Sequence, residues 1–283
     1  MPDTPIERVK RDVQVYYCMR VTLSAVRIIG LITGNMNHVS IGNEKAPTVV
    51  YAHGWGRSYH DFIQVAESLA PATNSILLDL PGFGESPRPE DTWGSSEYAD
   101  HCAQFLKQRS VTPVIWVGHS FGGRVGLQLA VRHPQLVAGM VLVASAGIPL
   151  PTSRTRQLKR RYRQFRFKMA KRRATTAEQT KRLEQQYGSA DYLQSAELGL
   201  RDIFVKVIAE DQTNDTRKIS TPTTLIYGNA DTETPVAIGE RLNSLIQGSQ
   251  LVCCPEFDHL DILNRGRHQI ALSVKDLING ANA

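Results

Sequence analysis

The 283 residues contain no apolar run that would cross a membrane comfortably; the best stretch, Val13 to Ile32, is interrupted by Arg20 and Arg27. The first twelve residues, MPDTPIERVKRD, are polar and mixed in charge, the wrong composition for a secretory leader, so the expectation is a cytoplasmic chain. Cysteine is scarce: Cys18, Cys102, Cys253 and Cys254 form no CxxC or Cys/His spacing. Neither a metal site nor a disulfide framework is indicated, and free thiols in a reducing compartment are expected. Repeats and low-complexity segments are also missing. With 41% apolar and 21% charged residues, the composition is that of a globular protein. Acidic residues are absent from one window, Arg154 to Arg173, which holds eleven Lys or Arg. The net charge is +6, so the rest of the chain is mildly acidic and the basicity belongs to one local element.

What is present is an alternation. Short β-rich runs occur at 48–52, 75–80, 113–118, 139–146, 223–228 and 250–254, each nearly continuous in apolar residues. Strands buried on both faces have that appearance. Helix-length amphipathic segments lie between and after them, at about 59–70, 96–108, 121–132, 236–246 and 265–279. Strand and helix in turn predict an α/β fold, a mainly parallel sheet covered by helices. Residues 13–42 fit one or two antiparallel strands or a helix equally well. From 148 to 217 the strand signal stops and helix formers dominate. The expected organisation is a core of 1–147 and 218–283 with a helical insertion at 148–217.

The run at 113–118 ends in Gly118-His119-Ser120-Phe121-Gly122, a G-x-S-x-G pattern set between a buried strand and a helix. In that setting the pattern describes a turn that lifts a serine hydroxyl above the strand end, with glycines where side chains would collide. A serine hydroxyl needs a base, and the base needs an orienting carboxylate. The turn after 223–228 holds Asp231, and the turn after 250–254 holds His259. Glu233 and Asp258 are alternative acids; Asp258 is hampered by its adjacency to His259, which leaves Glu233 the better substitute. His53-Gly54-Trp55-Gly56 follows the 48–52 strand, and the backbone N–H groups of Trp55 and Phe121 are positioned to serve as an oxyanion hole. His119 is expected to be structural and to point away from the base. His38, His60, His101, His133 and His268 have no motif around them.

With HGWG at 53–56, DLPGFGES at 79–86, GHSFGG at 118–123, GNADTETP at 228–235 and FDH at 257–259, the chain resembles the α/β-hydrolase-fold serine hydrolases that carry a helical cap. The order Ser120, Asp231, His259 matches that fold and not the serine-protease folds. The resemblance extends from about residue 48 to the C-terminus and implies a catalytic Ser120–His259–Asp231 triad with no metal and no organic cofactor. It implies that the 79–86 loop shapes the pocket entrance, with Asp79 structural. Serine at 120 argues against the haloalkane dehalogenase and epoxide hydrolase branches, which place Asp there. Carboxylesterases, lipases and carbon–carbon bond hydrolases remain in range.

The expected activity is hydrolysis of a small-molecule carboxylic ester through an acyl-enzyme. A carbon–carbon bond or amide hydrolase on the same triad is the alternative, and a low-turnover ligand-binding signalling protein is a third. Within the basic window Leu158, Tyr162, Phe165 and Met169 recur at helical spacing. That stripe is expected to pack over the Ser120 pocket or on neighbouring cap helices. Phe167 falls off it, among the charges, and is the residue that speaks for a docking surface. A solvated face is one reading of the charges. Weak contact with an anionic surface is the other, with nucleic acid last among such partners.

Overall fold

Each of the six apolar runs forms a strand, because each can bury side chains on both of its faces. The computed structural model describes residues 26–28, 36–111, 113–150 and 154–281. β3 (Thr48–Ala52), β4 (Asn74–Leu78), β5 (Val114–His119), β6 (Val137–Val143), β7 (Thr223–Gly228) and β8 (Gln250–Cys254) are all parallel to their neighbours in this set. Successive residues of a strand point to opposite faces. Accordingly Val50 and Trp116 enter one core layer, while Tyr51 and Val117 enter the other. The region left open between helix and strand holds β1 (Val26–Ile28) and β2 (His38–Gly42), both antiparallel to their partners. The part of that region at 13–25 and 29–35 lies outside the described residues, as does Cys18. The sheet order is β1-β2-β4-β3-β5-β6-β7-β8.

Helices cover both faces. α1 (Ile63–Leu69) and α11 (Arg267–Ala281) bury Val65, Leu69, Ile270 and Val274 in one layer. α2 (Ser95–Arg109), α3 (Phe121–Arg132) and α9 (Val236–Leu245) bury Tyr98, Leu106, Val125, Leu129 and Leu242 in the other. The short helix α10 (Asp261–Asn264) precedes α11.

Between β6 and β7 the described residues hold helices and no strand: α4 (Arg154–Arg173), α5 (Ala177–Tyr187), α6 (Ala190–Glu197), α7 (Arg201–Ala209) and α8 (Thr213–Thr216). Thr176 and Ser189 cap α5 and α6, their hydroxyls accepting from the N–H groups of Gln179 and Tyr192 at 3.2 Å. α7 is clamped to the sheet-bearing part. Arg88 pairs with Asp202 at 2.8 Å and Lys206 with Glu97 at 2.9 Å. The buried Arg124 of α3 donates to the Val207 carbonyl at 2.7 Å.

α4 corrects the sequence expectation. Leu158, Tyr162 and Phe165 are 70%, 62% and 60% exposed, so these three residues of the stripe do not pack on the site or on the other helices, while its fourth member, Met169, is half-buried. Phe167 does, with its ring 5.6 Å from that of Tyr187 and 6.3 Å from that of Tyr192. At about 100° per residue, Phe167 falls opposite Leu158 on the helix. Lys171, on the same inner side, pairs with Glu184 of α5 at 2.8 Å. Periodicity identifies an apolar stripe but not which face finds a complementary neighbour. Here the aromatic and ionic partners lie on the other side.

Candidate active site

Ser120 follows β5 directly and has φ 47° and ψ −103°, outside the regions that L-residues favour. Holding such a conformation costs on the order of 1–3 kcal/mol and requires support from around it. The Ser120 N–H donates to the Val143 carbonyl at 2.9 Å, and the Ser120 carbonyl accepts from the N–H groups of Arg124 and Ala146 at 3.1 and 3.3 Å. Glycine is needed on both sides. A Cβ at Gly118 would stand 2.5 Å from the Gly122 carbonyl oxygen, and one at Gly122 would collide with the Ala52 carbonyl oxygen of β3. The elbow is thereby wedged between two strands and the first turn of α3.

His259 and Asp231 come together from the ends of neighbouring strands. His259 Nδ1 donates to Asp231 Oδ2 at 2.7 Å. The other carboxylate oxygen, Oδ1, accepts from the N–H groups of Glu233 and Thr234, both at 2.8 Å. Thr234 Oγ1 lies 2.8 Å from Asp231 Oδ2 and 2.9 Å from the Ala144 carbonyl, which ties this turn to the end of β6. Neither alternative acid occupies the Nδ1 side. Glu233 Oε2 is 3.6 Å from Nε2 instead, and the Asp258 carboxylate accepts from the N–H groups of Leu260 and Asp261.

Burial works against a charged His259. The hydrogen bond to Asp231, the charge of that carboxylate and those of Glu233 and Asp191 outweigh that, so the imidazole pKa lies above its ordinary value. Burial likewise works against an ionised Asp231, but the bonds from His259 and Thr234 hold its carboxyl below the ordinary range.

His119 differs from expectation. Its ring lies 4.7 Å from that of His259, and its Nε2 donates to the His259 carbonyl at 3.0 Å. Burial and the neighbouring His259 push its pKa down to about 3, so it is a neutral prop for the base. No hydrogen bond joins the Ser120 hydroxyl to His259 among the described residues. Such bonds are commonly long before substrate arrives.

The loop after β3 approaches from the other side, where a Cβ at Gly54 would stand 3.5 Å from Ser120 Cβ. His53 is fully buried; its Nδ1 donates to the Gly54 carbonyl at 2.7 Å, and its Nε2 accepts from the Leu80 N–H at 3.0 Å. These bonds fix the Gly54–Trp55 peptide next to the serine. The Trp55 indole packs against Phe83, Phe121 and Phe204 at 5.0, 5.3 and 4.9 Å, joining the loop to α7. Gln194 of α6 reaches down to the Gly56 carbonyl at 3.4 Å. Asp79 braces the 79–86 loop by accepting from the Tyr59 and Glu85 N–H groups at 2.8 and 3.0 Å.

Sequence reasoning passed over His53 and Thr234 as supports, and gave His119 a structural role but aimed it away from the base it touches. His53 and His119 sit inside quoted motifs, but nothing in their spacing says what their rings touch. Among the described residues no group of His, Cys, Asp and Glu is arranged to hold a metal. Cys102 is buried, and burial pushes its thiol up to about 12. Among the described residues no helix is long and apolar enough to cross a membrane.

A family model described as alpha/beta hydrolase fold matches residues 47–265. A 1-acylglycerol-3-phosphate O-acyltransferase of Arabidopsis thaliana is 38% identical over 109 residues, 37% of this chain and 26% of that protein. A 2-hydroxymuconate semialdehyde hydrolase of Pseudomonas sp. (strain CF600) is 39% identical over 88 residues, 31% of each chain. The matched part is thus under a third of either relative. Among solved structures, a bacterial membrane phospholipase A superposes with a TM-score of 0.75 at 21% identity, covering 98% of this chain and 93% of that one.

Proposed function

Because the chain belongs to the alpha/beta hydrolase fold family, we propose that it is a serine hydrolase cleaving carboxylic esters through an acyl-enzyme. The observation that carries this reading is the His259–Asp231 bond of 2.7 Å, made beside a serine held in a strained elbow. His259 Nε2 takes the Ser120 hydroxyl proton as Oγ attacks the ester carbonyl. The carbonyl oxygen becomes an oxyanion facing the N–H groups of Trp55 and Phe121. The tetrahedral adduct collapses, His259 returns the proton to the leaving alkoxide, and the acyl group stays on Oγ. Water, deprotonated by His259, then releases the acid and restores the serine. Asp231 keeps Nδ1 protonated throughout, so that Nε2 is free to accept.

Electrostatics narrow the substrate. The charges of Asp231, Glu233 and Asp191 all act on His259. A carboxylate on the substrate beside the base would face Glu233, whose Oε2 is 3.6 Å from Nε2, so an ester uncharged at that end is expected. A carbon–carbon bond hydrolase on the same residues is the competing reading, favoured by the likeness to the semialdehyde hydrolase.

The test combines fluorophosphonate labelling with turnover of p-nitrophenyl esters of graded acyl length. Rapid labelling of Ser120 with ester turnover is expected. Labelling without turnover of any ester would overturn ester hydrolysis and leave the carbon–carbon, amide or low-turnover ligand-binding alternatives. Failure to label would remove the nucleophile assignment itself.

A further inference from the structure

We infer that the outward face of α4 docks the protein on an anionic phospholipid bilayer. On this face Leu158, Tyr162 and Phe165 are 70%, 62% and 60% exposed. Large apolar side chains grouped in this way on a surface mark an interaction site. Their surroundings are cationic: Lys159, Arg166, Lys168, Arg172 and Arg173 are exposed along the same helix. The Arg166 guanidinium lies 6.0 Å over the Tyr162 ring, against the stripe. Helices with an apolar stripe bordered by Lys and Arg lie in the plane of a bilayer surface, the stripe among acyl chains and the cations at the headgroups. The long stems of Lys and Arg reach phosphates without exposing apolar surface to water.

The fold does not need this face, since α4 is held from the opposite side by Phe167 on Tyr187 and Lys171 on Glu184. A second copy of the chain is a poor occupant. The 154–173 segment has eleven Lys or Arg and no acid, so two such faces repel. A polynucleotide would satisfy the charges but leave the stripe in water. An anionic bilayer satisfies both. α4 packs through Phe167 on Tyr192 of α6, the helix whose Gln194 reaches the loop after β3 at the Gly56 carbonyl. Docking through α4 therefore turns the cap toward the lipid. The inference does not depend on which bond the site cleaves.

The experiment is co-sedimentation of the full chain with phosphatidylcholine vesicles, with and without phosphatidylglycerol, at low and physiological salt. Two variants accompany the wild type. One carries Leu158→Ser, Tyr162→Ser and Phe165→Ser; the other carries Lys159→Gln, Arg166→Gln, Lys168→Gln and Arg172→Gln. All seven residues are exposed, so both variants keep the wild-type melting temperature and the wild-type rate on a water-soluble ester.

Binding is expected only with phosphatidylglycerol present, and weaker at physiological salt, where screening acts beyond roughly 8 Å. Each lost cation lowers partitioning by roughly fivefold near an anionic surface, so the charge variant falls by several hundredfold. The serine variant falls by about tenfold or more as its apolar area is lost. Equal binding of wild type and both variants would overturn the inference. So would binding that ignores the serine substitutions, which is adhesion by charge alone. Tighter binding to a single-stranded RNA than to vesicles would overturn it in favour of nucleic acid. Reversible dimerisation abolished by the serine variant, without vesicle binding, would overturn it in favour of self-association.

Discussion

Replacing Asp231 with Asn changes one atom, and the hydrogen bonds around it determine where that atom goes. Oδ1 accepts from two backbone N–H groups, those of Glu233 and Thr234, both at 2.8 Å. An amide nitrogen placed there would meet two donors, so the amide oxygen must keep that side. The NH2 group then takes the place of Oδ2, next to His259 Nδ1 at 2.7 Å. A donor there forces Nδ1 to accept, and the imidazole proton moves to Nε2. The base then presents a proton to Ser120 instead of a lone pair, and the cation formed in the transition state loses its counter-charge. In serine proteases the corresponding change costs about 10⁴ in kcat. That corresponds to about 5.4 kcal/mol of transition-state stabilisation. The backbone bonds to Oδ1 survive, so the variant should fold and melt near the wild type. Steady-state kinetics on a p-nitrophenyl ester, with calorimetry as control, checks this. A folded Asp231→Asn variant losing less than tenfold in kcat would refute the argument, because the tautomer would not have been controlled from this position.

Ser120→Ala should lower kcat by about 10⁶ and abolish fluorophosphonate labelling while the melting temperature holds, because the Cβ is retained at the elbow. Glu233→Gln should cost less than tenfold. It removes one charge that raises the His259 pKa, so the acid limb of kcat/KM should move to lower pH. In the wild type that limb should lie above the ordinary imidazole value of 6.5, since activity needs neutral His259 and is lost as pH falls through its raised pKa. A pH–rate series on both proteins measures the two limbs, and a limb that moves upward in the variant contradicts the charge argument. Gly122→Ala should destabilise the fold by about 3 kcal/mol or more, read by urea denaturation, because its Cβ collides with the Ala52 carbonyl. Thr234→Val should lower kcat roughly tenfold, since it removes a hydroxyl from between Asp231 Oδ2 and the Ala144 carbonyl.

Much of the core was readable in advance because its determinants are local. A strand such as Val114–His119, buried at all six positions, can be apolar on both faces only inside a covered parallel sheet. The glycines around Ser120 were equally informative, since the collisions that exclude a Cβ occur within five residues of chain and one neighbouring strand. The antiparallel edge was not readable. β2 pairs with β4 across more than thirty residues of sequence, and its five residues carry no alternation strong enough to separate strand from helix.

The supports of the candidate site were hidden for a related reason. His119 and His53 are single residues whose roles depend on carbonyls brought in from elsewhere: that of His259 for one, and the bend of the Gly54 peptide for the other. An isolated histidine in a sequence carries no record of those partners. α4 shows the same limit on a larger scale. Three of the four residues of its best-spaced stripe lie in solvent, while Phe167 turns inward to Tyr187 and Tyr192, two residues whose positions depend on the packing of α5 and α6. For a helix whose two faces both hold aromatics, the side that turns inward is set by the neighbour. The face left over keeps both its apolar residues and its charges available for a partner outside the fold.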